Sequence, residues 1–293
     1  MSCSLIATFI ATLLGFWLLS CRDVFAWGAG IHIAQGDYVL NHLGLVLPVI
    51  ADLLSKYSRD FLYGCISADI VIGKGSRRRV DHCHNWSVGQ QLLSVAQEPC
   101  QKAFTYGYLA HLASDIIAHN FFIPNQLYRT SSTRKFGHVY WECRSDLFTE
   151  RKHWRLARAV LTQNSTRNDD MMAAIVPTRL LSFRTNKQIY MNTIRLYDLQ
   201  QWRQAVILVS RNSRWTLARD YVDFLKQLSL ALVIDFLQHP HKARCLQYDP
   251  VGSDNIHEAK RKRRLVRRLN GKNPDDLFFV IPDELMEISL NTE

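Results

Sequence analysis

One helix-length segment limits the folds open to this chain more than any other. It reads His111-Leu-Ala-Ser-Asp115-Ile-Ile-Ala-His119. On an α-helix, residues at i, i+4 and i+8 stand one above another on a single face. Leu109, Leu112, Ile116 and Ile117 fill the other directions. The pattern describes a buried helix with one polar stripe. An unpaired buried His or Asp is costly, so the stripe needs partners from elsewhere in the fold.

The sequence supplies candidates. His138-Val-Tyr-Trp-Glu142 repeats the i, i+4 spacing, and Asp81-His82-Cys83-His84-Asn85-Trp86 clusters two imidazoles before a helical stretch. Asp69 ends an apolar run, and His32 follows Trp27 by five residues. Seven of the eleven histidines fall between residues 32 and 138. A single His-x3-Asp pair is ordinarily a hydrogen bond. The assembled set is instead imidazole plus carboxylate, the ligand chemistry of catalytic zinc. A central Asp can bridge two metals, and closely spaced metals clamp the attacking and leaving oxygens of a phosphodiester. His42, His153, His239, His241 and His257 lack this context and read as surface or core residues.

The rest of the chain fits a helical host. Helical periodicity runs over 32–47, 48–57, 86–96, 103–122, 138–161, 170–183, 194–210 and 216–238, and alternating strand patterns are scarce. Gly, Ser and Arg gather in loops at 73–79, 128–136 and 163–169. No internal repeat is visible. Hydrophobic residues make up 47% of 293, which excludes a collagenous or low-complexity chain and supplies a core. The expectation is an all-α protein with one multi-helix domain over 27–245. A composition break near 245 starts a basic helix and an acidic-apolar tail over 246–293.

Residues 2–21 carry no charge, and 5–19 resemble the apolar core of a secretory signal. Val24-Phe25-Ala26 offers a cleavage site that would leave Trp27 as the mature N-terminus. A lipoprotein-like cut at Cys21 and an uncleaved membrane anchor are the alternatives. Export, periplasmic or secreted, implies an oxidising compartment. Cleavage after Ala26 leaves five cysteines, enough for at most two disulfides of open pairing. No other uncharged stretch approaches membrane-spanning length, which excludes a polytopic membrane protein.

The ordered set Trp27, His32, Asp69, His82 or His84, His111-x3-Asp115-x3-His119 and His138-x3-Glu142 resembles the zinc-dependent phospholipase C family. The related zinc nucleases for single-stranded nucleic acid share the architecture. The motifs lie between Trp27 and Phe148, and helical character extends the likeness to 245. The resemblance implies an all-helical domain holding three Zn2+ ions. Asp69, one of His82 and His84, His111 and Asp115 would hold one zinc. His119, His138 and Glu142 would hold a second. Trp27, through its amino group and carbonyl oxygen, His32 and Asp115 would hold the third. Asp69 would orient or deprotonate the attacking water.

Several residues depart from the secreted bacterial enzymes. The three-residue spacing between Asp115 and His119 resembles the N-terminal domain of glycosylphosphatidylinositol-specific phospholipase D. The Trp27-x4-His32 opening is similar to the nucleases, whereas Glu142 is the phospholipase choice. Gly30 and Ile70 stand where the bacterial choline pocket has Glu and Tyr, so choline specificity is not implied. The implied activity is hydrolysis of glycerophospholipids to diacylglycerol and a phosphorylated headgroup. A zinc nuclease or other phosphodiesterase is the first alternative, and a catalytically inactive, metal-stabilised envelope protein is the second.

The implied partner is a phospholipid membrane surface. Between Lys260 and Arg268 lie seven cations in nine residues, while residues 274–293 carry six acids and no base. The basic run reads as a contact for anionic lipid headgroups, as a nucleic-acid contact on weaker grounds, or as a solvated helix. The net charge of +10 suits either phosphodiester substrate.

Overall fold

The computed structural model describes residues 27–71, 82–130, 137–163, 165–178, 181–268 and 277–288. The N-terminal segment, Asp81 and the 73–79 loop lie outside the described residues. No strand occurs among the described residues, and the protein is all-α.

The helices run α1 (Ala29–Asn41), α2 (Pro48–Lys56), α3 (Ser58–Ser67), α4 (Trp86–Val95) and α5 (Pro99–Ile117). Next come α6 (Ile123–Arg129), α7 (Gly137–Asp146), α8 (Arg151–Thr162), α9 (Thr166–Ile175) and α10 (Phe183–Asp198). The series ends with α11 (Gln200–Arg211), α12 (Arg219–Gln238), α13 (Ser253–Arg268) and the short α14 (Asp283–Met286). No helix among the described residues is long and apolar enough to cross a membrane.

α5 is the central helix. Pro99 sits in its first turn, and Glu98 and Gln101 form a reciprocal capping box. From Ala103 onward it is buried on nearly every side. α3 lies directly against it. Gly64 of α3 faces the Phe104 carbonyl, and Gly107 of α5 faces the Phe61 carbonyl so closely that a Cβ at either glycine would overlap backbone. These two glycines allow the close helix approach that brings the end of α3 beside the polar stripe.

The structure departs from sequence periodicity at informative points. α3 was not foreseen, because Gly64 interrupts the apolar pattern. The expected helix over 138–161 is two helices, broken at 147–150. There Arg203 of α11 donates to the carbonyls of Leu147 and Thr149, which have left the helical ladder. The expected 194–210 helix is likewise divided at Leu199, whose backbone is extended.

The end of α5 passes into a π turn, Ala118–Phe122, where the Ile123 N–H reaches back to the Ala118 carbonyl. Pro124 explains the change in winding. It has no N–H for the Asn120 carbonyl and its ring crowds that carbonyl. Asn255 Nδ2 on α13 donates to the Asn120 carbonyl instead, at 2.9 Å. Gly252, at φ +59°, lies so close to the His119 carbonyl that a side chain there would overlap it.

α13 is therefore docked. Ile256 and Ala259 join the same hydrophobic core as Trp27, α5 and Leu285. No disulfide joins Cys65, Cys83, Cys100, Cys143 and Cys245, which sit on separate elements.

Candidate metal centre

His111, Asp115 and His119 are all buried on one face of α5 and its π turn. Other elements bring donors to that stripe. Asp69 lies just beyond α3, His82 and His84 in the turn before α4, His32 on α1, and His138 and Glu142 on α7. All are buried.

Asp115 is the hub. Its Oδ2 lies 3.2 Å from His111 Nε2, 3.4 Å from His84 Nε2 and 3.7 Å from His119 Nε2. Its Oδ1 lies 3.3 Å from His32 Nε2. Asp69 Oδ1 is 3.2 Å from His84 Nε2 and 4.0 Å from His111 Nε2. The His32 and His111 rings stack at 3.9 Å. His138 Nε2 pairs with Glu142 Oε1 at 3.2 Å, and the His138 ring meets His119 edge-on at 5.6 Å.

Three donor sets converge closely enough to share a cation: His32/His111/Asp115, Asp69/His84/His111 and His84/Asp115/His119. The two imidazoles before α4 are placed differently. His84 Nε2 faces Asp69 and Asp115, whereas His82 Nδ1 accepts the backbone N–H of His84 at 3.1 Å. His82, Cys83 and His84 form a further close group. Tyr108 of α5 donates its hydroxyl to the Cys83 carbonyl and holds this turn against the central helix.

The donor chemistry fits a metal ion. His111 Nδ1 lies 2.9 Å from the Cys65 carbonyl, which can only accept. Nδ1 therefore carries a hydrogen, and Nε2 of the neutral ring presents a lone pair to the Asp115 carboxylate. Two acceptors cannot face each other in a dry interior unless positive charge sits between them, as a proton or a metal. Electrostatics agree. Burial alone would lower the His111 pKa, but the Asp115 and Asp69 charges overcome it and the net shift is upward. Burial alone would raise Asp115, yet His111 and His32 hold its carboxyl well below the usual carboxylate range. His32 is lowered by burial and by His111.

Trp27 is fully buried. Its indole donates to Ser229 Oγ at 3.0 Å and stacks on Phe122 at 5.2 Å, so α12 and the π turn anchor it. Gly28 lines a small cavity with Asp69 and Glu142. Gly30, where the bacterial enzymes carry a headgroup glutamate, lies against the Trp154 indole with no room for a Cβ.

Sequence reading overlooked Asp146. It completes an i, i+4, i+8 stripe with His138 and Glu142, the same signal that marked α5. It is buried against Gly28 and lines the cavity holding Asp69 and Glu142. Burial pushes its carboxyl up to about 8. Tyr190 and Trp154 close the same cavity.

A buried imidazole–carboxylate cluster drawn from three helices and two turns defines an all-helical domain equipped to bind metal. The chain belongs to the zinc dependent phospholipase C family, whose model matches residues 31–192, more than half of it. The match includes every candidate ligand except Trp27. No curated protein sequence and no solved structure matches this chain.

Proposed function

We propose that the protein is exported, loses residues 1–26, and hydrolyses glycerophospholipids at the glycerol–phosphate oxygen. The products would be diacylglycerol and a phosphorylated headgroup. The observation that carries this reading is the convergence of His32, His84 and His111 on Asp115, with Asp69 facing His84 and His111.

The family resemblance assigns the ligands. Asp69, one of His82 and His84, His111 and Asp115 would hold one zinc, and the approach of His84 Nε2 to Asp69 and Asp115 supports His84 as that imidazole. His119, His138 and Glu142 would hold a second, and Trp27, His32 and Asp115 a third. Bound zinc lowers the pKa of water and neutralises charge building on phosphate oxygens.

The chain's own groups do the rest. The Cys65 carbonyl fixes the His111 tautomer, and Tyr108 fixes the turn bearing His84. Asp69 faces both the cluster and the cavity, so its carboxylate can take the proton from the attacking water. The water oxygen bonds to phosphorus, the bond to the glycerol oxygen breaks, and that oxygen takes a proton from solvent and leaves as diacylglycerol, while Asp69 returns its own proton to solvent. Trp154, Tyr190 and Ile194 wall the cavity.

The test is mass spectrometry of lipid products from mixed phospholipid vesicles, with zinc and with chelator. Chelator-sensitive diacylglycerol is the expected result, and the headgroup lost names the substrate. Phosphatidate would assign cleavage to the other side of the phosphate. Cleavage of single-stranded DNA without lipid turnover would shift the assignment to a nuclease. Zinc content without hydrolysis of either would leave a structural metal protein.

A further inference from the structure

One edge of α13 carries Ile256, Ala259 and Arg263 into the protein, a spacing of i, i+3 and i+7. The other edge is solvent-facing and cationic, with Arg261, Arg264, Leu265 and Arg268 exposed. Arg261 is matched by Glu258 through two contacts of 2.6 Å. The outward positive field of the described face therefore comes mainly from Lys262, Arg264 and Arg268.

Residues 277–280 run alongside. The buried Asn125 side chain clamps them. Its Nδ2 donates to the Phe279 carbonyl at 2.8 Å, and its Oδ1 accepts the N–H groups of Phe278 and Phe279 at 2.9 Å. The clamp turns Phe279 inward and leaves Leu277, Phe278 and Val280 exposed at 44%, 42% and 73%. Lys262 Nζ lies 4.8 Å from the centre of the Phe278 ring. Apolar tips and cations thus adjoin where Lys262 meets Phe278.

We propose that the face formed by Lys262, Arg264, Leu265 and Arg268 of α13 with Leu277, Phe278 and Val280 docks the protein on an anionic phospholipid bilayer. The chemistry favours a bilayer over other occupants. A nucleic acid would engage the cations but return nothing for holding Leu277 and Val280 in water. A second copy of the same face would meet like charge. A bilayer surface rewards both features at once, attracting cations to its headgroups and burying apolar tips among them.

The assignment deepens the lipid reading and rests on it. It also ties membrane contact to the candidate centre. Through Asn255 and Gly252, α13 is seated on the turn that carries His119.

The test is vesicle co-sedimentation of the full chain, with chelator present throughout so that turnover plays no part. Every variant carries the same processed N-terminus, verified by mass. Phosphatidylcholine vesicles are compared with vesicles also containing phosphatidylserine, at low and high salt. The parent is expected to prefer the anionic vesicles and to weaken with salt. The triple variant K262Q/R264Q/R268Q should lose about fivefold per cation on anionic vesicles. Leu277→Ser with Val280→Ser should weaken the binding that survives high salt. Circular dichroism of each variant separates lost docking from lost folding.

Equal binding of parent and triple variant, or equal binding to neutral and anionic vesicles, would overturn the proposal. So would single-stranded DNA binding that depends on the cations while vesicle binding does not. Docking in this test together with no lipid products from the zinc-loaded protein would defeat the hydrolysis reading and leave this face standing. Hydrolysis of a soluble short-chain lipid without vesicle binding would do the reverse.

Discussion

His84 Nε2 and His111 Nε2 lie 3.1 Å apart, although 27 residues separate them in the chain. The Cys65 carbonyl holds the hydrogen of His111 on Nδ1, so His111 turns a lone pair toward His84 and Asp115. The pair singles out His84 as the imidazole from the turn before α4 that enters the centre. Replacing His84 with Ala should cut zinc content and reduce turnover by about a hundredfold or more. His82→Ala should keep the zinc and cost tenfold or so, since His82 Nδ1 accepts the His84 N–H and braces the turn. Metal analysis alongside diacylglycerol release checks both. Equal losses in the two variants would put both imidazoles on the metal.

Gly64 and Gly107 allow α3 and α5 to meet backbone to backbone. Gly64→Ala or Gly107→Ala must push the helices apart. Each should destabilise the fold by about 2 kcal/mol or more, within the range for overpacked cores. Gly44 has open space around its Cα, so Gly44→Ala should stay within about 0.5 kcal/mol of the parent. Urea unfolding midpoints at constant m distinguish the outcomes.

Asp146 has its carboxyl pushed up to about 8 from an ordinary 3.8, chiefly by burial. The folded state therefore holds a proton that the unfolded state has lost between these values. Stability should fall as pH rises from about 4 through 8, the reverse of an ion-paired acid. A shift of this size is worth several kcal/mol once fully developed. Asp146→Asn should flatten the profile and melt higher than the parent at pH 9. Thermal melts of chelator-treated protein across pH 5–9 provide the measurement. Parallel profiles would show that Asp146 is ionised in the folded state.

Asn255 takes over the Asn120 carbonyl that Pro124 leaves without its helical donor. Asn255→Ala strands a buried acceptor beside the His119 turn and should cost about 1–3 kcal/mol. Asn255→Asp retains the shape but not the donor and should lose a similar amount. If neither variant shifts the unfolding midpoint, water has replaced the amide.

Much of the candidate centre was legible in the sequence because helical spacing reports a face directly. His111, Asp115 and His119 were aligned by i+4 arithmetic alone, and so were His138 and Glu142. The same arithmetic extended one step would have reached Asp146. α3 was not legible, since Gly64 suits a helix only when Gly107 lies opposite it. The break after Asp146 was equally hidden, because Arg203 from a distant helix donates to the freed carbonyls.

The amino-acid sequence by itself determined the helical class, the buried polar stripe and the donor types able to take zinc. Those follow from local periodicity and side-chain chemistry. Tertiary structure alone decided which donors meet. Asp69 and Asp115 both face His84 and His111 because two glycines let α3 touch α5 and Tyr108 pins the turn before α4. It likewise decided that α13 packs on the His119 turn, where Asn255, distant in sequence, satisfies the carbonyl that Pro124 left free. Such contacts depend on distance in space, which residue spacing along one helix does not encode.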